Sequence, residues 1–198
     1  MTTPGAAARR ARGRLFVVSG PSGAGKGTVV RKALARRPGV RLSVSATTRP
    51  PRPGERDGVE YHFVGEPEFR RMRDAGELLE WAEVYGNLYG TPRRDVDDAL
   101  DAGGDVLCEL DIQGAEAIRR AAPDAILVFI EPPSVDDLRT RLEDRGTEGP
   151  DERARRMAAA RSELRSKALF DHVVVNDDAD EAAAALVRIL EAPRAGKG

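Results

Sequence analysis

The chain has 198 residues, 33% charged and 40% hydrophobic, and its 32 Lys and Arg against 33 Asp and Glu leave a formal charge of −1. That size fits one domain with a sizeable core, and the near-neutral balance gives no electrostatic ground for nucleic acid or an anionic membrane as a bulk partner. The longest aliphatic or aromatic run, Ala125 to Ile130, is far too short for a membrane span, and the one cysteine, Cys108 in VLCEL, excludes an internal disulfide and reads as a buried thiol.

In chain order, MTTPGAAARRARGR has no apolar signal core. Residues 1–13 read as a solvated, disordered tail, and cytoplasm is the expected location. Leu15 to Val18 is a continuous apolar run, which suits a strand buried on both faces. A glycine-rich stretch follows over 20–25, then a helix to about Arg37, stopped by Pro38-Gly39. Val40 to Ser45 can form a short strand. The polar region 45–95 looks like an insertion against the sheet, with one helix at Glu66 to Ala75 that puts Phe69 and Met72 on one face. Val96 to Ala102 reads as helix, Val106 to Leu110 as strand, Ile112 to Ala122 as helix and Ala125 to Ile130 as strand. Ser134 to Asp144 is the next helix, with Ser134 and Asp137 spaced as a capping pair. An Arg/Ala helix over 151–167, a strand at His172 to Val175 and a helix at Ala179 to Leu190 complete the pattern, and 192–198 read as a frayed, disordered tail. Strands alternating with helices predict an α/β fold with a parallel, doubly wound sheet over 14–191. Ligands of such sheets sit at the carboxyl ends of the strands.

The first strand runs into Gly20, Pro21, Ser22, Gly23, Ala24, Gly25, Lys26 and Gly27, followed by Thr28. This is close to G-x-x-x-x-G-K-[ST] in the strand–loop–helix context that the motif requires. Its glycines let backbone N–H groups wrap a polyphosphate, the helix N-terminus adds its positive end, and Lys26 reaches the transferred phosphate. Gly27 stands where Ser or Thr normally contacts a magnesium ion, and Thr28 is next door. GKGT is also how adenylate kinases are written.

A second anion site is legible in SATTRPPRPGERDGVEYHF, residues 45–63. Arg49 precedes Pro50 and Arg52 precedes Pro53, so both guanidinium groups hang from a stiff, unhelical backbone. Pro53-Gly54 suits a type II turn, Asp57-Gly58 is a second turn signal, and Val59, Tyr61 and Phe63 alternate with Glu60 and His62 as in a half-buried strand. Two arginines suited to bidentate phosphate capture, beside a phosphate loop, imply a donor and an acceptor. A switch GTPase needs only one such site.

These segments, with LLEWAEVYGNLYGTP, LDIQG, RLEDRGTE and FDHVVVND, resemble a guanylate kinase in order and spacing from about Gly13 to Leu190. The resemblance implies a three-layer P-loop kinase fold with a GMP-binding insertion over about 45–95 and a lid over about 141–158. It implies ATP and GMP (and dGMP) as substrates, no nucleic-acid or membrane partner, and Mg²⁺ accompanying ATP; oligomeric state is not implied. Carried over by position, Arg49, Arg52, Tyr61 and Tyr89 would hold the GMP phosphate, and Ser45, Glu80, Thr91 and Asp111 would line the guanine pocket. Taken alone, Glu80 in LLEWAE reads as a solvated helix residue paired with Arg93 or another base, and Trp81 reads as packing. Thr28, Glu109 and Asp111 would serve the metal, chiefly through water. Arg141, Arg145 and Arg156 would be the lid arginines over ATP, with Lys26, Arg49, Arg145 and Arg156 acting in transfer. Without the resemblance, Arg141 and Arg145 read as a helix face with Asp137 as a surface partner of Arg141. Asn176 would contact the adenine side of ATP. The two histidines, His62 and His172, have neither metal spacing nor a nucleophile partner. Two rival readings are a kinase for another nucleoside monophosphate and a non-catalytic binding module of the same fold.

Overall fold

The computed structural model describes residues 11–84, 86–143, 158 and 162–193. Residues 1–10 of the expected tail over 1–13, residues 194–198 of that over 192–198, and most of the expected lid and Arg/Ala helix, with Arg145 and Arg156, lie outside the described residues. Gly13 itself is tied down, its N–H donating to the Leu100 carbonyl at 2.7 Å.

Five parallel strands form the central sheet: β1 (Leu15–Ser19), β2 (Val40–Leu42), β7 (Asp105–Glu109), β8 (Ile126–Glu131) and β9 (His172–Val175), in the order β2-β7-β1-β8-β9. β1 lies at the centre, with Phe16 opposite both Leu107 and Ile126. Its apolar run is explained by cover on both faces. Phe16 and Val18 point to one layer, made by α1 (Lys26–Arg36) and the last helix, α6 (Ala179–Glu191). Leu15 and Val17 point to the other, with α3 (Arg93–Asp101) and α4 (Ile112–Ala121). Cys108 is buried in that second layer, and burial pushes its thiol up to about 12. Between β8 and β9 come α5 (Val135–Glu143), a helical turn at 162–165 and a 3₁₀ turn at Ser166–Leu169. The capping pair forms: the Asp137 N–H donates to Ser134 Oγ at 3.0 Å, and the Ser134 hydroxyl donates back to the Asp137 carboxylate.

The insertion is more regular than its composition suggests. β3 (Ala46–Thr47), β4 (His62–Phe63), β5 (Leu78–Val84) and β6 (Asn87–Pro92) make a second, mixed sheet in the order β4-β3-β6-β5. α2 (Glu66–Asp74) closes a small core around Ala46, Phe69, Leu78 and Leu88. LLEWAE is therefore strand, not helix. The expected strand through Val59 is shorter than its alternation implied: Val59 is exposed, and only His62 and Phe63 join the sheet. Trp81 lies on the outer face of β5, with the Arg73 guanidinium 5.2 Å over its ring, so its packing partner is a surface arginine. β5 also packs on α4, which brings the inner face of the insertion to the end of β7.

Candidate active site

The loop between β1 and α1 lies at the carboxyl end of the central strand. Gly20 and Gly25 hold it in shape with φ of +144° and +82°. A Cβ on Gly20 would collide with the Ile130 carbonyl, and one on Gly25 with the Asn176 side chain, so both positions need glycine for space as well as for φ. The Gly25 carbonyl accepts from the N–H groups of Thr28 and Val29, which starts α1 on the loop. Lys26 curls back, its Nζ 2.5 Å from the Gly20 carbonyl and 3.1 Å from that of Pro21. The Ser22 N–H donates to the Glu163 carboxylate at 3.2 Å, so a carboxylate reaches a main-chain amide of the glycine-rich loop. Sequence reasoning did not single out Glu163; nothing in its local pattern marks it.

Asn176 follows β9 and is buried. Its side-chain amide donates to the Ala24 carbonyl at 2.6 Å, bracing the loop, while its own carbonyl accepts from Arg141 at 2.9 Å. Arg141 thus reaches across to the loop's support and is not an isolated helix-face residue.

At the end of β7, both Glu109 carboxylate oxygens lie about 3.5 Å from where a Cβ on Gly27 would stand. Glu109 opens to water in the cleft, yet the protein on either side displaces enough solvent to raise its carboxyl above the usual range, against the pull of Lys26 and Arg31. Its charge also acts on Tyr61, across in the insertion. Glu109 therefore stands beside the phosphate loop at Gly27. Thr28 is exposed, with Arg31 at 3.5 Å from its hydroxyl. Asp111 caps α4, accepting from the Gly114 N–H at 2.7 Å, which occupies one carboxylate oxygen. No cluster of three His, Cys, Asp or Glu suited to a metal occurs among the described residues. The donors present are hard oxygens, one or two in number. That set fits a cation such as Mg²⁺, which keeps waters and takes most of its ligands from phosphate.

The insertion supplies two groups of side chains. In one, Glu80 on β5 is 6% exposed and accepts from the buried Thr91 hydroxyl at 2.7 Å. Its second oxygen lies beside Gly114, where an added Cβ would sit 3.1 Å from it and 3.3 Å from Asp111 Oδ1. Desolvation, helped by the Asp111 charge and opposed by the Thr91 hydrogen bond, pushes the Glu80 carboxyl up to about 7. Arg93 is not its partner: that guanidinium donates to the carbonyls of Gly76 and Leu78. Ser45 immediately precedes β3, and its carbonyl accepts from the His62 N–H at 2.9 Å.

In the other group, Tyr61 and Tyr89 meet edge to face at 6.0 Å between ring centroids, and the Arg49 guanidinium lies 5.4 Å over the Tyr61 ring. Burial raises the Tyr61 hydroxyl above its ordinary value. Glu55, which sequence reasoning passed over, holds Arg49 with both carboxylate oxygens at 2.9 Å. The Arg52 side chain is exposed.

A parallel sheet with a glycine-rich phosphate loop, facing an insertion that holds a second cationic site and a buried carboxylate, defines a P-loop kinase of small nucleotides. The guanylate kinase family profile matches residues 12–193. A guanylate kinase of Symbiobacterium thermophilum is 53% identical over 93% of this chain and 87% of its own length, and one of Thermobifida fusca is 53% identical over 91% and 92%. The crystal structure of guanylate kinase from Anaplasma phagocytophilum superposes with a TM-score of 0.76 at 35% identity, covering 91% of this chain and 86% of that one. The chain belongs to the guanylate kinase family.

Proposed function

We propose that this chain transfers the γ-phosphoryl group of ATP to GMP or dGMP, giving ADP and GDP or dGDP, as one cytoplasmic domain over 14–191 with the insertion at 45–95 and a lid at 141–158. The observation that carries the guanine assignment is the buried Glu80 beside Thr91 and Asp111. Guanine presents adjacent N1–H and N2–H₂ donors, which an ionised carboxylate accepts as a pair, whereas adenine offers N1 as an acceptor. The same pocket therefore attracts one purine and repels the other.

The GMP phosphate is held by Arg49, Arg52, Tyr61 and Tyr89, and Ser45 completes the acceptor side. The loop amides from Gly20 to Thr28 and Lys26 cradle the donor phosphates, with Arg141 and Asn176 on the adenine side. A phosphate oxygen of GMP forms the new bond to γ-phosphorus as the bond to the β,γ-bridging oxygen breaks, and the electron pair leaves with ADP. Positioning and charge neutralisation are the protein's main contributions to such a transfer. Arg145 and Arg156 add cationic charge as the lid closes and water is excluded. Mg²⁺ bound with ATP supplies further neutralisation, and Glu109, Asp111 and Thr28 would hold it, chiefly through water.

The test is a coupled assay for ADP with GMP, AMP, CMP or UMP as acceptor. GMP should be strongly preferred. Equal use of AMP would point to another monophosphate kinase, and no ADP with any acceptor to a binding module.

A further inference from the structure

We propose that Glu55 is the positioning residue of the acceptor-phosphate site, its one carboxylate tying the Arg49 side chain to the Arg52 backbone so that both arginines are set before substrate arrives. This rests on the reading of Arg49 and Arg52 as the GMP-phosphate ligands. Arg49 Nη2 donates to both Glu55 oxygens at 2.9 Å, and one of those oxygens also accepts from the Arg52 N–H at 2.7 Å. The Glu55 N–H returns to the Arg52 carbonyl at 3.0 Å and closes the turn through Gly54, whose φ is +89°. Arg49 Nη1 donates to the Pro50 carbonyl at 2.8 Å, and its guanidinium lies over the rings of Tyr61 and Phe63 at 5.4 and 5.8 Å.

This pair differs from the chain's ordinary surface ion pairs. The Arg49 and Glu55 side chains are 11% and 19% exposed, whereas those of Arg70 and Glu66 are 53% and 57% exposed. An exposed pair contributes little. An enclosed one with further hydrogen bonds removes the rotamer freedom that a long arginine would otherwise lose on binding its ligand.

A carboxylate on a phosphate-binding arginine could equally be a stand-in anion that the phosphate displaces. The Arg52 N–H argues against that role. The Arg52 N–H, at 2.7 Å, anchors one Glu55 oxygen to its own turn and so keeps the carboxylate beside Arg49. Glu55 is part of the loop's frame, and Arg49 offers its remaining donors to phosphate from a fixed pose. The two roles have opposite signs: removing a frame weakens GMP, and removing a competitor tightens it.

Calorimetry on the full chain decides between them, with GMP and guanosine as ligands for wild type, Glu55→Gln, Arg49→Ala and the double variant. Gln keeps an oxygen for the Arg52 N–H and loses the charged link to Arg49. Glu55→Gln should raise the Kd of GMP by about five- to tenfold, and by less than about twofold in the Arg49→Ala background. Guanosine should change by less than about twofold in every variant. An unchanged or lower Kd for GMP in Glu55→Gln, the same loss in both backgrounds, or an equal loss for guanosine would each overturn the proposal. Failure of Arg49→Ala itself to weaken GMP would overturn the reading of the phosphate site, and the proposal with it.

Discussion

Glu80 is the residue on which the proposed base preference turns, because its carboxylate is almost fully buried and accepts from the Thr91 hydroxyl. Glu80→Gln keeps the size and one acceptor, but it directs an amide donor at guanine's own donors. A polar site of this kind discriminates by up to roughly 10⁴-fold, and losing one member should forfeit a good part of that. We expect KM for GMP to rise with little change in KM for ATP, and relative use of AMP to increase. Steady-state kinetics with both acceptors measures this; an unchanged GMP-to-AMP ratio would remove Glu80 from the pocket's chemistry. The same carboxyl gives a pH signature. With a value of about 7 in the free protein, it must lose its proton before it can accept from guanine, so binding weakens as pH falls. Guanosine, which carries no titrating phosphate, should bind about tenfold more weakly at pH 6 than at pH 8 if the ionised form alone binds. For stability the sign is reversed. A carboxyl whose folded value lies above its unfolded one stabilises the fold below the unfolded value, and that contribution is lost as pH rises through about 7.

The phosphate loop shows how one element depends on a neighbour far away in sequence. Ala24 is fully buried, and its carbonyl accepts from Asn176. Asn176→Ala leaves that acceptor without its side-chain donor, a loss of about 1–3 kcal/mol. We expect a lower thermal midpoint and weaker ATP binding, with guanosine affinity retained; differential scanning calorimetry and ATP titration measure the two effects. The loop itself was legible in the sequence because a glycine-spaced turn with a lysine, set between a buried strand and a helix, is a specific signal. Its brace was not, since Asn176 joins it only through the sheet. β5 was illegible for a different reason. Its inner face carries Leu78, Glu80 and Ala82, and its outer face Trp81 and Glu83, so a functional carboxylate inside and an exposed tryptophan outside erase the period-two pattern. Arg49 and Arg52 stood out through their prolines, whereas Glu55 looked like one more turn residue until the fold returned it to Arg49. The order of strands and helices in the main sheet could be read directly, because each buried strand is a short apolar run bounded by turn residues.

At the scale of the molecule, the parallel sheet is the rigid platform, and the two proposed phosphate sites are mounted at one end of it. Phe16 is fully buried at its centre, against the layer formed by α1 and α6. Phe16→Ala should cost about 3–5 kcal/mol of stability, measured by denaturant unfolding, with KM values little altered at temperatures where the variant stays folded. A change in acceptor preference with no loss of stability would contradict this separation of platform from site. The account stands most directly on phosphoryl transfer itself. ATP labelled in its γ-phosphate, incubated with the wild-type chain, Mg²⁺ and GMP, should pass the label to GDP and leave unlabelled ADP. Label appearing as inorganic phosphate, or remaining in ATP while GMP is bound, would contradict it.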